Sequence, residues 1–132
     1  MSFELLGQDI TMPQGGDLTA NQFLFVKLNS SGQVVAMAAA TDIPFGIQQD
    51  VPRTSTTGLA VTVRMFGVSK CVGNGSVTAG NQIEPDSTGK AAPGVNGTDT
   101  THYIVGQALE TSTVSGELVA VAFNCLNPGR GA

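Results

Sequence analysis

The sequence is poor in charge, in aromatic rings and in the side chains that carry most chemistry. Only 12% of its 132 residues are charged, about half the usual share. Ten acidic and six basic residues leave a net charge of −4, and the basic residues are scattered singly. Nucleic acid is therefore not an expected partner, because such binding rests on neutralising phosphates with clustered lysine and arginine. There is no tryptophan, one tyrosine and six phenylalanines. The single histidine, His102, has no serine or cysteine nucleophile motif beside it. Cys71 and Cys125 form neither a CxxC pair nor a disulfide framework, and buried reduced thiols are the expectation. No apolar run nears the length of a membrane span; the most apolar short run, Val34–Ala40, is mostly alanine. The opening Met1-Ser2-Phe3-Glu4 lacks the basic start and apolar stretch of a secretory signal, so cytoplasmic synthesis is expected.

What replaces the missing charge is glycine and small polar residues. Apolar residues make up 41%, enough for a core, and there are 17 glycines. Strand candidates follow one another at short spacing: Phe23–Leu28, Val34–Met37, Phe45–Gln49, Leu59–Val68, Ser69–Val72, Gln82–Glu84, Tyr103–Leu109 and Glu117–Phe123. Clusters of Gly, Pro, Asn and Ser fall between them, which marks an all-β barrel or sandwich. No window carries a long helical period bounded by caps.

The chain also says nearly the same thing twice. Thr19–Val35 reads TANQFLFVKLNSSGQVV, and Thr78–Ala92 reads TAGNQIEPDSTGKAA. Each has an Asn-Gln pair (Asn21-Gln22, Asn81-Gln82) and a polar turn closed by glycine (Gly32, Gly89). Gly46 and Gly106 follow in Ile-Pro-Phe-Gly and Tyr-Ile-Val-Gly, and Phe66 and Phe123 end the long strands. These pairs are 57, 60 and 57 residues apart, with indels that loops tolerate. We read a single compact β-barrel or sandwich-like domain with an internal duplication related by a pseudo-twofold. Each half is too small to be comfortably stable alone. The expected division is an extended N-terminal arm at 1–16, a β-rich body at 17–126 with halves at about 17–67 and 77–124, and a flexible tail at 127–132. Phe45, Val61, Val63, Phe66, Ile104, Val119, Val121 and Phe123 are the expected core.

Little in the sequence suggests catalysis. Glu84 and Asp86 alternate along a strand as metal ligands would, but no further oxygen ligand is spaced to complete a calcium site, so a solvated hairpin is expected. Cys71–Gly80 is glycine-containing yet fits no phosphate-binding pattern, and no helix follows it. No catalytic residue, cofactor or metal ligand is expected. The arm is different. Phe3, Leu5, Leu6, Ile10 and Met12 are its apolar residues, Pro13 favours extended chain before it, and Gly15-Gly16 frees the joint behind it. Such a segment can add a strand to an exposed sheet edge, so these five residues are the candidate contacts with a neighbour. The alternative is that Ile10–Met12 closes an edge of its own sheet.

The order of elements resembles the small capsid decoration, or cement, proteins of tailed bacteriophages. The resemblance runs through DITMPQGGDLTANQFLFVKL, IPFGIQQD, VTVRMFGVSKCV, SVTAGNQIEPDSTGKAAPG and YIVGQALETSTVSGELVAV, covering about Ile10–Phe123. Asn81 stands where an acid is common in the family. The resemblance implies a structural virion protein, not an enzyme, made in the host bacterial cytoplasm and bound to the outer capsid surface. It implies major capsid protein as partner and a homotrimer at threefold or local threefold positions, bracing neighbouring subunits. A second class remains open, a β-rich carbohydrate- or ligand-binding module exposed on a virion. That class calls for exposed aromatics, whereas the few rings here fall mostly in strand patterns. An enzyme on a small barrel calls for a nucleophile–base pair that the sequence does not offer.

Overall fold

A computed structural model describes residues 7–131. It contains eleven strands: β1 (Gln8–Pro13), β2 (Phe25–Leu28), β3 (Val34–Ala36), β4 (Gly46–Gln48), β5 (Ala60–Val72), β6 (Gln82–Pro85), β7 (Ala91–Pro93), β8 (Tyr103–Ile104), β9 (Gly106–Ala108), β10 (Leu118–Asn124) and β11 (Gly129–Arg130). No helix occurs among the described residues. Nine strands form one sheet in the order β3-β2-β4-β5-β10-β9-β6-β7, with β1 also paired to β5. The sheet curls into half a barrel whose ends are β3 and β7, and β8 and β11 form a separate ribbon.

The sheet is built around β5, which joins two strands expected separately. Val61, Val63, Met65, Ser69 and Cys71 are buried while the residues between them are not, the period of two that a half-buried strand requires. The antiparallel partner of β5 changes midway. Residues 60–66 pair with β1 and residues 66–72 pair with β10. Gly67 sits at the change with φ of 116°, a backbone that a residue with a side chain rarely adopts.

The duplication is written in the hydrogen bonds. The Asn29 side chain accepts from the amides of Ser31 and Gln33, and Asp86 accepts from those of Thr88 and Lys90. Gly32 and Gly89 close these turns with φ of 75° and 89°. Gly46 runs against the Arg64 carbonyl and Gly106 against the Ala122 carbonyl, so closely that neither leaves room for a Cβ. The Phe23 amide donates to Gln48 O and the Gly80 amide to Ala108 O, and both donors lie at positive φ, 63° and 91°. The repeated turn thus demands a left-handed residue. The second copy meets the demand with glycine, and the first forces a phenylalanine into it.

Two expectations shift by register. Gly46 meets the residue before Met65, and Gly106 meets the residue before Phe123, so Met65 and not Phe66 is the counterpart of Phe123. Phe66 faces the opposite side and is only partly buried, because a slip of one residue exchanges the faces of a strand. The arm also has a counterpart. Met12 pairs with Val61 as Cys71 pairs with Val119, and Ile10 pairs with Val63 as Ser69 pairs with Val121. By register, β1 corresponds to the second half of β5. The pseudo-twofold passes near Phe66, where Gln8 and Asn124 both reach β5. One strand runs through unbroken on one side of that point, and on the other side the ends of two strands meet.

Each half has its own core. Leu18, Val26, Val34, Val61 and Val63 form one cluster, with Met12 and Phe45 packed against it. Their counterparts Val77, Ile83, Ala91, Val119, Val121, Cys71 and Val105 all lie in the other cluster. Phe25, Met37 and Ile47 cross over to join this second cluster, with Phe25 edge-on to Phe123 at a ring-centroid distance of 6.0 Å. Of the expected core, Val61, Val63, Val119, Val121 and Phe123 are buried. Phe45, Phe66 and Ile104 are partly exposed. The segment 129–130, expected to be flexible tail, is β11 and pairs with β8.

Candidate interaction surface

The two halves differ in what covers them. In the second half, β11 lies along β8 and the Arg130 guanidinium stacks on the Tyr103 ring at 5.3 Å. The hairpin tip at Gly89 presses on Phe25, whose amide donates to Gly89 O. The first half has no such cover among the described residues: around Gly32 there is open space. Equivalent positions record the difference. Leu28 is exposed where Pro85 is buried. Ile43 is 60% exposed where Tyr103 is half-buried, and Phe45 is half-buried where Val105 is buried.

The open side forms a groove of about 350 Å³ lined by Leu28, Ile43, Pro44, Phe45, Leu126 and Pro128, with Cys125 at its base. Leu126 is 58% exposed. Apolar side chains of this size grouped on one face mark interaction sites more often than singly scattered ones do. Cys125 itself is shielded. Burial pushes its thiol up to about 12, and that of Cys71 higher still, so both are inert thiols and not nucleophiles.

Polar groups are also arranged in pairs by the duplication. In the first half, Lys27 Nζ donates to Asp42 Oδ2 at 2.9 Å. That bond, aided by the Ala38 and Ala39 amides, holds the Asp42 carboxyl below its usual range. The counterparts of Lys27 and Asp42 are Glu84 and His102, a pair in which the carboxylate has moved to the strand and the nitrogen to the loop. His102 Nδ1 lies 2.8 Å from Glu84 Oε1 and 3.8 Å from Asp99 Oδ1. Glu84 is 5% exposed, and burial raises its pKa while the bond to His102 opposes the rise. Its second oxygen, Oε2, is buried with no hydrogen-bond partner. The expectation of a solvated Glu84 beside Asp86 is therefore corrected. Asp86 caps its own turn, whereas Glu84 turns inward toward a loop 18 residues away in sequence. Exchanging Lys27 for Glu84 and Asp42 for His102 in the aligned repeats is the signal that would have found this pair.

The sequence-derived contact residues are placed in part. Phe3, Leu5 and Leu6 lie outside the described residues. Ile10 and Met12 stand on β1, half-buried, with their backbone bonded to β5 of the same chain. Asp9 on β1 also forms an ion pair with Arg64 at 2.7 Å. Among the described residues, no serine, threonine or cysteine lies within hydrogen-bonding distance of His102.

No protein-family model and no curated protein matches the chain. Solved structures do match. The N base of head fiber gp8.5 in bacteriophage phi29 aligns with a TM-score of 0.62 at 15% identity, over 91% of this chain and 96% of that one. A chain of the capsid of Myoviridae phage XM1 aligns with a TM-score of 0.58 at 16% identity, over 93% and 92%. At such identities the likeness is one of fold, which by itself does not carry function.

Proposed function

We propose that this chain is a structural virion protein of a bacteriophage, bound to the outer surface of the capsid. In this role it bridges neighbouring major capsid protein subunits and braces the shell as a homotrimer at threefold or local threefold positions. The observation that carries the reading is its fold, shared over nine-tenths of the chain with a head fiber base and a capsid chain. Sparse charge and a surface of small polar residues suit large, partly wet contacts. The groove at Leu28, Ile43 and Leu126 is the surface we assign to the shell or to a neighbouring copy. Phe3, Leu5 and Leu6 add apolar contacts from the chain's start, and Ile10 and Met12 contribute through their half-exposed side chains.

The test is sedimentation with purified capsids of the same phage. Wild-type protein should travel with the shells, and Ile43→Asp with Leu126→Asp should abolish co-sedimentation without altering the melting midpoint. Wild-type protein that stays in the supernatant at micromolar concentration contradicts the role. A doubly substituted protein that still binds fully contradicts the groove.

A further inference from the structure

We propose that Glu84, Asp99 and His102 form a binding site for a transition-metal dication of the zinc type. The three side chains offer one ligand atom each, all within 4.8 Å of one another. Metal–nitrogen and metal–oxygen bonds of about 2.0–2.2 Å at tetrahedral angles set ligand atoms roughly 3.3 Å apart. The observed separations from His102 Nδ1, 2.8 Å to Glu84 Oε1 and 3.8 Å to Asp99 Oδ1, bracket that value. At these two separations, side-chain movements of about half an ångström reach the coordination value. One imidazole and two carboxylates suit zinc and its neighbours, with water as the fourth ligand. They are too few for calcium, which takes six to eight oxygens.

Two independent observations point to a cation as the ligand. The first is Glu84 Oε2, on a side chain more than nine-tenths buried, with no hydrogen-bond partner. A buried carboxylate oxygen in that state is costly, and a coordinated metal on the same carboxylate offsets the cost. The second comes from the duplication. The equivalent site in the first half contains a permanent cation, Lys27, against the single carboxylate Asp42. Here two carboxylates share one imidazole, so the site is short of positive charge by comparison.

The ligands are already oriented. Asp99 Oδ2 accepts from the Val95 amide at 2.8 Å, which leaves Oδ1 turned to His102. The turn from Val95 to His102 is itself tied to the chain's end, since the Gly131 amide donates to His102 O. An ion here joins β6, that turn and the β11 segment, the same cover that distinguishes the second half from the first. His102 and Asp99 keep 28% and 23% of their side chains exposed, which gives the ion a way in.

The experiment titrates metal-stripped protein with ZnCl₂ by calorimetry and follows CoCl₂ by visible absorption. One equivalent should bind, with the intense d–d bands of four-coordinate cobalt. At a hundredfold excess of zinc over Kd, the melting midpoint should rise by about 10 °C and return with EDTA. His102→Ala and Asp99→Asn should each weaken binding at least tenfold, while Lys27→Met, at the equivalent place in the other half, should leave it unchanged. The same binding in Lys27→Met and His102→Ala would overturn the site, as would cobalt spectra of the hexaaqua ion. Where His102→Ala fails to fold, Asp99→Asn and the wild-type cobalt spectrum still decide.

Discussion

Truncating Phe123 to alanine tests the register of the duplicated long strands. The ring is 6% exposed and stands edge-on to Phe25 at 6.0 Å and 87°. Removing a buried phenylalanine costs about 3–5 kcal/mol, of which the aromatic pair contributes about 1 kcal/mol. Phe66 lies one residue off the equivalent position and is only partly buried. Full burial of such a ring is worth about 1.5–3 kcal/mol, so Phe66→Ala should cost about half that. For a chain of 132 residues, each kcal/mol moves the midpoint by roughly 3–5 °C. Phe123→Ala should therefore melt about 10–20 °C below wild type and Phe66→Ala within about 7 °C of it. Met65→Ala should group with Phe123→Ala, at about 2–5 kcal/mol. Calorimetry and urea unfolding followed by circular dichroism read all three variants. A double-mutant cycle of Phe25→Ala with Phe123→Ala should return a coupling of about 0.5–1.5 kcal/mol. Equal losses for Phe66→Ala and Phe123→Ala, or Met65→Ala at the level of Phe66→Ala, would refute the assignment of faces.

Other outcomes follow from the same geometry. Gly46→Ala and Gly106→Ala should each cost about 3 kcal/mol or more, because the added carbon strikes the Arg64 and Ala122 carbonyls. Gly32→Ala, with open space around it, should cost only about 1–2 kcal/mol for its left-handed backbone; comparable unfolding curves for all three would contradict this. Asp42 has a folded-state pKa below its unfolded value. Its contribution is therefore present above about pH 4 and lost as pH falls through the lower, folded value. The gap in midpoint between wild type and Asp42→Asn should thus close on acidification. Since both ends of the Lys27 pair reach solvent, the gap at pH 7 should be no more than about 1 kcal/mol. A gap that widens toward low pH would reverse the sign. Cys71 and Cys125 should ignore a thiol reagent in the native protein and react in full once it is unfolded; fast native labelling would contradict their burial.

The duplication was legible because turns are. Gly32, Gly89, Gly46 and Gly106 are positions where backbone geometry admits little else, so both copies keep them. The strand interiors were harder. Leu59–Val68 and Glu117–Phe123 align equally well one residue apart by hydrophobicity, and only the close approaches at Gly46 and Gly106 settle the pleat. Little in the letters of β1 betrays its kinship to residues 67–72: Ile10 answers to Ser69 and Met12 to Cys71, half-buried residues against buried ones. β7 was missed because Ala91-Ala92-Pro93 has no strand propensity, and it exists only as the partner of β6. The cluster of Glu84, Asp99 and His102 was invisible for a related reason. Its members come from a strand and a loop that adjoin only through sheet order, and Glu84 reads as a surface carboxylate until β6 is seen to turn it inward.

The asymmetry of the two halves joins fold to function. One sequence unit, repeated, gives two cores of like design. The second is covered by the chain's own tail, and the first is left with Leu28 and Ile43 in the open, beside Leu126. A protein that stood alone would gain by covering both. An uncovered half suits a partner surface, which in the proposed role is the capsid or a neighbouring copy.

The most direct measurement is a cryo-electron microscopy reconstruction of capsids with and without this protein. The account predicts added density on the outer surface at threefold or local threefold positions, three copies to a cluster. The groove at Ile43 and Leu126 should be closed against the shell or a neighbouring copy. Identical reconstructions at saturating protein, or density confined to the interior, would contradict it.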